Sequence, residues 1–206
     1  MQSIITVTTA SDTYDLTTVA TVRDEIGDAA SSVTDDIWIR WIHQESRRIA
    51  VHCNRVFAQE TVSEVFRLDG QPARQLKLTR YPVTTLTSVT EGDDAALAAT
   101  YYELDGAAGL LYRLDGDDGR RCWDARKLTV VYTGGYELLS ALPHDIETAC
   151  IQLVVRRFTS RGRDPFMRSQ SIPGVGEKTF WVPSEGVPGL PPDIVELLAP
   201  YRNYAL

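Results

Sequence analysis

At 206 residues the chain is long enough to bury a core, as one domain or as one domain with an insertion. Its 43% hydrophobic and 24% charged content is that of a globular protein. A formal net charge of −7 argues against a surface that grips nucleic acid all round, which needs clustered Lys and Arg, but is compatible with DNA passing nearby without sticking.

Residues 1–14 are rich in Thr and Ser, with a short β-like run at Ile4–Thr8, and read as an extended arm. They lack the basic region and apolar core of a secretory signal. Thr17 caps a short helix that runs to Ile26, with Leu16, Val19, Val22 and Ile26 on its inner side and Gly27 as its stop. Ala29–Thr34 reads as a small-residue loop. Thr34 or Asp35 then caps a second helix reaching about Val56, whose apolar face is Trp38, Trp41, Ile42, Ile49, Cys53 and Val56. Arg40, Gln44, Arg47, Arg48 and Arg55 fall on its other faces. They suit either a solvated face paired with neighbouring acids or a surface for DNA or a partner.

From Glu60 the apolar period changes to two. Strands are expected at Thr61–Leu68, Leu76–Arg80, Thr84–Thr90, Tyr101–Leu104, Leu110–Leu114 and Lys127–Thr133. Asp69-Gly70, Pro82, Glu91-Gly-Asp-Asp94, Asp105-Gly-Ala-Ala-Gly109 and Asp115-Gly-Asp-Asp-Gly119 punctuate them. Short strands between Asp/Gly turns indicate a small antiparallel sheet, sandwich or barrel. Gly134-Gly135 breaks the last strand.

Pro143 then sits at the first position of a third helix, expected to run to Arg161. Asp145 and Glu147 suit the positive end of its dipole, and Arg156, Arg157 and Arg161 load its last turns. Ile146, Ala149, Cys150, Leu153, Val154 and Phe158 make one apolar face. Residues 163–192 are dense in Pro and Gly and read as a loop, yet they hold Phe166, Met167, Phe180 and Trp181. Such residues order against something, either the chain's own fold or another subunit. Asp193 caps a final short helix, Ile194–Leu198, and Pro200 ends or kinks it before the tail Tyr201–Leu206.

The expected fold class is α+β, a small helical bundle with an inserted antiparallel β layer between the second and third helices. Residues 15–58 and 140–162 form the helical core and 59–136 the β insertion. Residues 163–206 form an extended loop with the C-terminal helix and tail, all within a single domain of 1–206.

The search for chemistry gives little. Asp93-Asp94 and Asp117-Asp118 lack EF-hand spacing and read as turn residues. His43 and His52 are not at the i, i+4 spacing of an HExxH site, and His144 marks a helix start. No GxSxG elbow or Walker loop occurs, and Gly174-Val-Gly176 alone is too weak for a nucleotide site. Cys53, Cys122 and Cys150 form no CxxC pair and read as reduced thiols. No apolar run approaches the roughly 18 residues of a membrane span. The sequence points to no enzyme, metal or cofactor.

The element order resembles the head–tail connector, or adaptor, family of tailed bacteriophages and gene transfer agents. The resemblance rests on Leu16-Thr-Thr-Val-Ala-Thr-Val-Arg-Asp-Glu-Ile26 and Asp36-Ile-Trp-Ile-Arg-Trp-Ile-His-Gln-Glu-Ser46 for the first two helices. In the β region it rests on Leu78-Thr-Arg-Tyr-Pro-Val83, Thr87-Ser-Val-Thr90, Tyr102-Glu-Leu-Asp105, Gly109-Leu-Leu-Tyr112 and Val130-Val-Tyr-Thr-Gly-Gly-Tyr136. Leu142-Pro-His-Asp-Ile-Glu-Thr-Ala-Cys150 opens the third helix, so that residues 16–162 are covered.

The resemblance implies a non-enzymatic homo-oligomeric ring, a dodecamer, in the neck of a virion or phage-like particle assembled in the host bacterial cytoplasm. The ring would sit between the portal protein and a stopper or tail-completion protein, with DNA only in transit and no membrane or cofactor involved. It makes Phe166, Met167, Phe180 and Trp181 candidate subunit-interface residues. Connector-like proteins often send their C-terminus into the portal, which makes Leu197, Leu198, Tyr201, Arg202 and Tyr204 candidate docking residues. The alternative is a tail-associated carbohydrate- or protein-binding β module, which would be a monomer with ligand affinity. An unrecognised Asp/His hydrolase would instead show metal-dependent turnover.

Overall fold

In the computed structural model, residues 2–161, 169–172, 176–179 and 189–204 are described. The chain divides into two units, one of Met1–Tyr14 with Arg55–Ala141 and one of Asp15–Asn54 with Leu142–Leu206.

The first unit is built from eight strands: β1 (Gln2–Thr9), β2 (Glu60–Arg67), β3 (Gln75–Lys77), β4 (Val83–Glu91), β5 (Tyr102–Asp105), β6 (Leu110–Leu114), β7 (Arg120–Arg121) and β8 (Lys127–Gly134). One antiparallel sheet runs β1-β2-β8-β4 and a second β3-β6-β5, with β7 also paired to β6. Alternation decides which face is inward. On β2 the buried row is Glu60, Val62, Glu64 and Phe66, and on β8 it is Leu128, Val130, Tyr132 and Gly134. From these rows Val62, Phe66, Leu128, Val130 and Tyr132 join Leu68, Leu76, Leu78, Val89, Leu111 and Trp123 in one apolar core drawn from both sheets. Full burial of such a side chain contributes about 1.5–3 kcal/mol.

Residues 2–9 correct the expected extended arm. They pair along β2 from Gln2 opposite Arg67 to Thr9 opposite Thr61. Ile5 packs on the core while Ile4 faces out, so an N-terminal β-branched run becomes an edge strand. Gly134 is likewise not a breaker but the last residue of β8, opposite both Glu60 and Val83. A Cβ there would lie 2.2 Å from Arg80 O, so only glycine lets the chains approach.

The second unit holds α1 (Val19–Ile26), α2 (Asp35–His52), α3 (His144–Thr159), the strand pair β9 (Ser169–Ile172) and β10 (Gly176–Thr179), and α4 (Pro192–Leu198). Thr18, one residue past the expected Thr17, caps α1 by accepting from the Thr21 N–H at 3.1 Å, and Gly27 ends it at φ 74. The expected Ala29–Thr34 loop is a 3-10 turn, Gly27–Ser32, because Ala30 and Val33 are drawn into the core. Asn54, at φ 49 in the left-handed region, stops α2 short of Val56. Val22, Ala30, Val33, Trp38, Ile42 and Val154 form the centre of the helical core, with Trp41, Ile151 and Phe158 at its margin. Trp38 meets Trp41 edge-on at 5.3 Å and Phe158 at 5.4 Å. No described helix is long and apolar enough to cross a membrane.

The expected loop of residues 163–192 also needs correcting. β9 and β10 pair antiparallel, with Ile172 opposite Gly176 and Ser169 opposite Thr179. Pro and Gly density hid two short strands.

Candidate functional site

The sequence points to surfaces rather than to a cleft, and the structure sorts them by exposure. At the C-terminus, α4 opens behind Pro191 and is held by burial of Ile194 and Leu198. Arg156 on α3 pairs with Asp193, and that guanidinium holds the Asp193 carboxyl below the usual carboxylate range. Beyond the helix, the Tyr201 hydroxyl donates to Asp145 Oδ2 at 3.1 Å and the Asn203 N–H donates to Cys53 O at 2.8 Å. The candidate docking residues therefore divide. Leu198 is core, Leu197 and Tyr201 are half-buried, Arg202 is exposed, and Tyr204 is 68% exposed. The Arg202 guanidinium lies 5.2 Å from the Tyr204 ring. Phe166, Met167, Phe180 and Trp181 lie outside the described residues.

The arginine-bearing face of α2 is exposed at Arg40, Arg47 and Arg48. Arg48 donates to Glu45 and to Gly189 O, whereas Arg40 and Arg47 make no ion pair among the described residues. Gln44, Arg47, Arg48, Val51, His52 and Leu190 line a groove of about 410 Å³. Burial first, then the charges of Arg202 and Arg48, push the His52 imidazole below its usual range. Arg55 is not on this face, because α2 has already ended. It is buried, 3.8 Å over the Tyr81 ring and 5.3 Å from that of Tyr136, and donates to Tyr81 O.

Sequence reasoning missed a buried polar network beneath Leu78–Val83. Glu64 Oε2 accepts from the Tyr132 hydroxyl at 2.6 Å and from the Thr79 N–H and hydroxyl, each at 3.1 Å. The Arg80 N–H donates to the Tyr132 oxygen at 3.1 Å, and Arg80 Nε donates to Glu60 Oε2 at 2.6 Å. Tyr14 closes the other side of Glu60. The signal was phase. Glu60 and Glu64 share the period-two row of Val62 and Phe66, so they face inward. The network ties the Arg80-Tyr-Pro-Val83 segment, with its cis Tyr81–Pro82 peptide, to the sheet.

The acidic turns organise the backbone. Asp115 Oδ1 accepts from the Asp117 N–H at 2.9 Å and the Gly119 N–H at 3.0 Å, and Asp93 pairs with Lys127 at 2.9 Å. Among the described residues no cluster of His, Cys, Asp and Glu is placed to hold a metal ion. Cys53 and Cys150 are buried and Cys122 is exposed, all as free thiols.

No family model and no curated protein matches the sequence. Solved structures do match in fold. A chain in the neck of an empty gene transfer agent particle, computed with C6 symmetry, aligns at TM-score 0.58 and 16% identity, over 98% of this chain and 97% of that one. One in the neck of a native particle, computed with C12 symmetry, aligns at TM-score 0.56 and 16% identity over the same shares. A chain of a native gene transfer agent virion aligns at TM-score 0.53 and 17% identity, again over 98% and 97%. This chain has the fold of those chains from end to end.

Proposed function

We propose that the protein is a structural, non-enzymatic head–tail adaptor. Identical subunits form a ring in the neck of a phage-like particle, between the portal and a stopper or tail-completion protein, and DNA passes through the channel. One observation carries the reading: the fold matches neck chains of gene transfer agent particles, computed with C6 and C12 symmetry, over 98% of its length. The net charge of −7 supports it, since an acidic channel does not grip the DNA backbone. In this reading the exposed Arg202 and Tyr204 reach toward the portal, and Leu197 and Tyr201 support them from the subunit. Leu198 holds the helix in place instead. Phe166, Met167, Phe180 and Trp181 remain candidates for contact with a neighbouring subunit.

The test is electron microscopy of the purified protein, alone and mixed with a portal ring. Rings of the protein seated on the portal are expected. A monomer that leaves portal rings undecorated would overturn the proposal.

A further inference from the structure

β1 is the open edge of the larger sheet. It is eight residues long, Gln2-Ser-Ile-Ile-Thr-Val-Thr-Thr9, with no charge, proline or glycine. Ile4 is 54% and Val7 42% exposed. Edge strands are ordinarily blunted by charge, proline, shortness or a covering segment, because an unpaired row of N–H and C=O groups templates further pairing. The opposite edge is covered in that way. Along β4, the Val83 N–H donates to Gly106 O and the Leu97 N–H to Val89 O, each at 2.8 Å, and Ala96 bridges to Thr90. Among the described residues the fold closes one edge with its own chain and pairs nothing to the outer side of β1.

The β9–β10 ribbon has the complementary deficit. Its strands have four residues each and form a two-stranded sheet with no third strand among the described residues. A two-stranded ribbon is marginal in water and gains from a third strand. Its two strands differ in charge. β9, Ser-Gln-Ser-Ile, has none, whereas β10, Gly-Glu-Lys-Thr, carries Glu177 and Lys178.

We propose that β1 of one subunit is completed by the β9–β10 ribbon of a second copy, with β9 pairing to β1. Two uncharged strands then meet at the new ladder, and β10, with the sequence Gly-Glu-Lys-Thr, becomes the outer edge. Each copy gives one surface and receives on another. That is a heterologous contact, the type that closes into rings, whereas β1 against β1 would give an isologous dimer. The inference rests on the ring reading above.

The test places one cysteine in each of two protein samples. In a Cys122→Ser background, one carries Thr6→Cys and the other Gln170→Cys or Ser171→Cys, so that both side-chain parities of β9 are sampled. The samples are mixed, alone and with portal rings, and oxidised. A disulfide between the two chains, located by peptide mass, is expected for one of the β9 positions. A second variant, Val7→Lys, puts a charge on the bare edge and is expected to weaken self-association at least about tenfold with unchanged melting. If light scattering shows an oligomer but no cross-link forms and Val7→Lys assembles normally, the edge proposal fails and the ring reading stands. If the protein stays monomeric and unlinked even with portal, both fail.

Discussion

The Tyr132 hydroxyl donates to Glu64 Oε2 at 2.6 Å, with both side chains fully buried on adjacent strands. The same oxygen accepts both Thr79 donors, so the phenol is its third donor, while Glu64 Oε1 is buried with no hydrogen-bond partner among the described residues. Tyr132→Phe removes that donor from a buried acceptor and is expected to destabilise the protein by about 1–3 kcal/mol in urea unfolding. Burial first, then the Glu64 charge, push the phenol above its ordinary value near 10. A raised folded value stabilises the neutral form. That contribution is therefore fully present below the unfolded value and is lost as pH rises above about 10. The wild-type protein should lose stability above that pH, and Tyr132→Phe should lose less.

Gly135 sits at φ 108, and a Cβ on it would fall 2.3 Å from Ala58 O. Gly135→Ala meets both strain and backbone overlap, so its cost should exceed the roughly 1 kcal/mol of an ordinary Gly/Ala exchange. Gly70→Ala, at φ 81 with open space around it, has strain alone and should cost less. Equal melting shifts for the two would show that close approach does not matter at Gly135.

Three variants separate core from surface on the α3–α4 face. Leu153 and Leu198 are 4% and 0% exposed, and truncating either to Ala should cost about 2–5 kcal/mol. The Arg156–Asp193 pair is about half exposed on each side, so solvent screens it. Asp193→Asn should stay within about 1 kcal/mol. The reverse ranking would mean that α4 is held by charge rather than by burial.

Thiol labelling reads the burial of the cysteines. Burial pushes the Cys150 thiol up to about 12, and Ser46 sits 3.5 Å from its sulfur. In native protein at mild alkaline pH, alkylation should modify Cys122 and spare Cys53 and Cys150. All three should react after denaturation. Fast native labelling of Cys150 would mean that the contact between α2 and α3 opens readily.

The tail variant Arg202→Glu/Tyr204→Ala changes exposed side chains and leaves the Asn203–Cys53 and Tyr201–Asp145 hydrogen bonds in place. Melting should move by no more than about 0.5 kcal/mol in equivalent stability. Binding to portal rings should fall markedly. Native portal affinity would remove these two residues from the docking proposal.

Where burial sets the residue pattern, the sequence was readable. Trp38, Ile42, Ile49 and the Ile146–Phe158 face announced α2 and α3, and Leu110–Leu114 matches β6 residue for residue. Ends were less legible, because Asn54 stops α2 by adopting a left-handed conformation that its neighbours do not demand. Residues 2–9 read as an arm in the sequence because an edge strand has only one neighbour and its partner lies far along the chain. The Glu64 network was hidden because an acid in an apolar row reads as a solvent-facing position until its partners, 15 and 68 residues away, are known. The candidate docking residues follow no sequence pattern of their own, and exposure alone separates Tyr204 from Leu198.

The path of the chain through its two units also sets a schedule on the ribosome. Synthesis makes Met1–Tyr14 for the first unit, Asp15–Asn54 for the second, Arg55–Ala141 for the first again, and Leu142–Leu206 for the second. β1 must wait for β2, and the α1–α2 pair must wait for α3 before Val154 can close the core around Trp38 and Ile42. At about 5–20 residues per second, α3 follows the end of β8 by on the order of seconds. The sheet unit is synthesised in full before the helical unit is. A chain that ends before α3 lacks the Val154 and Phe158 that pack on Trp38, and so exposes an apolar helix face of the kind that marks an unfolded chain for proteolysis.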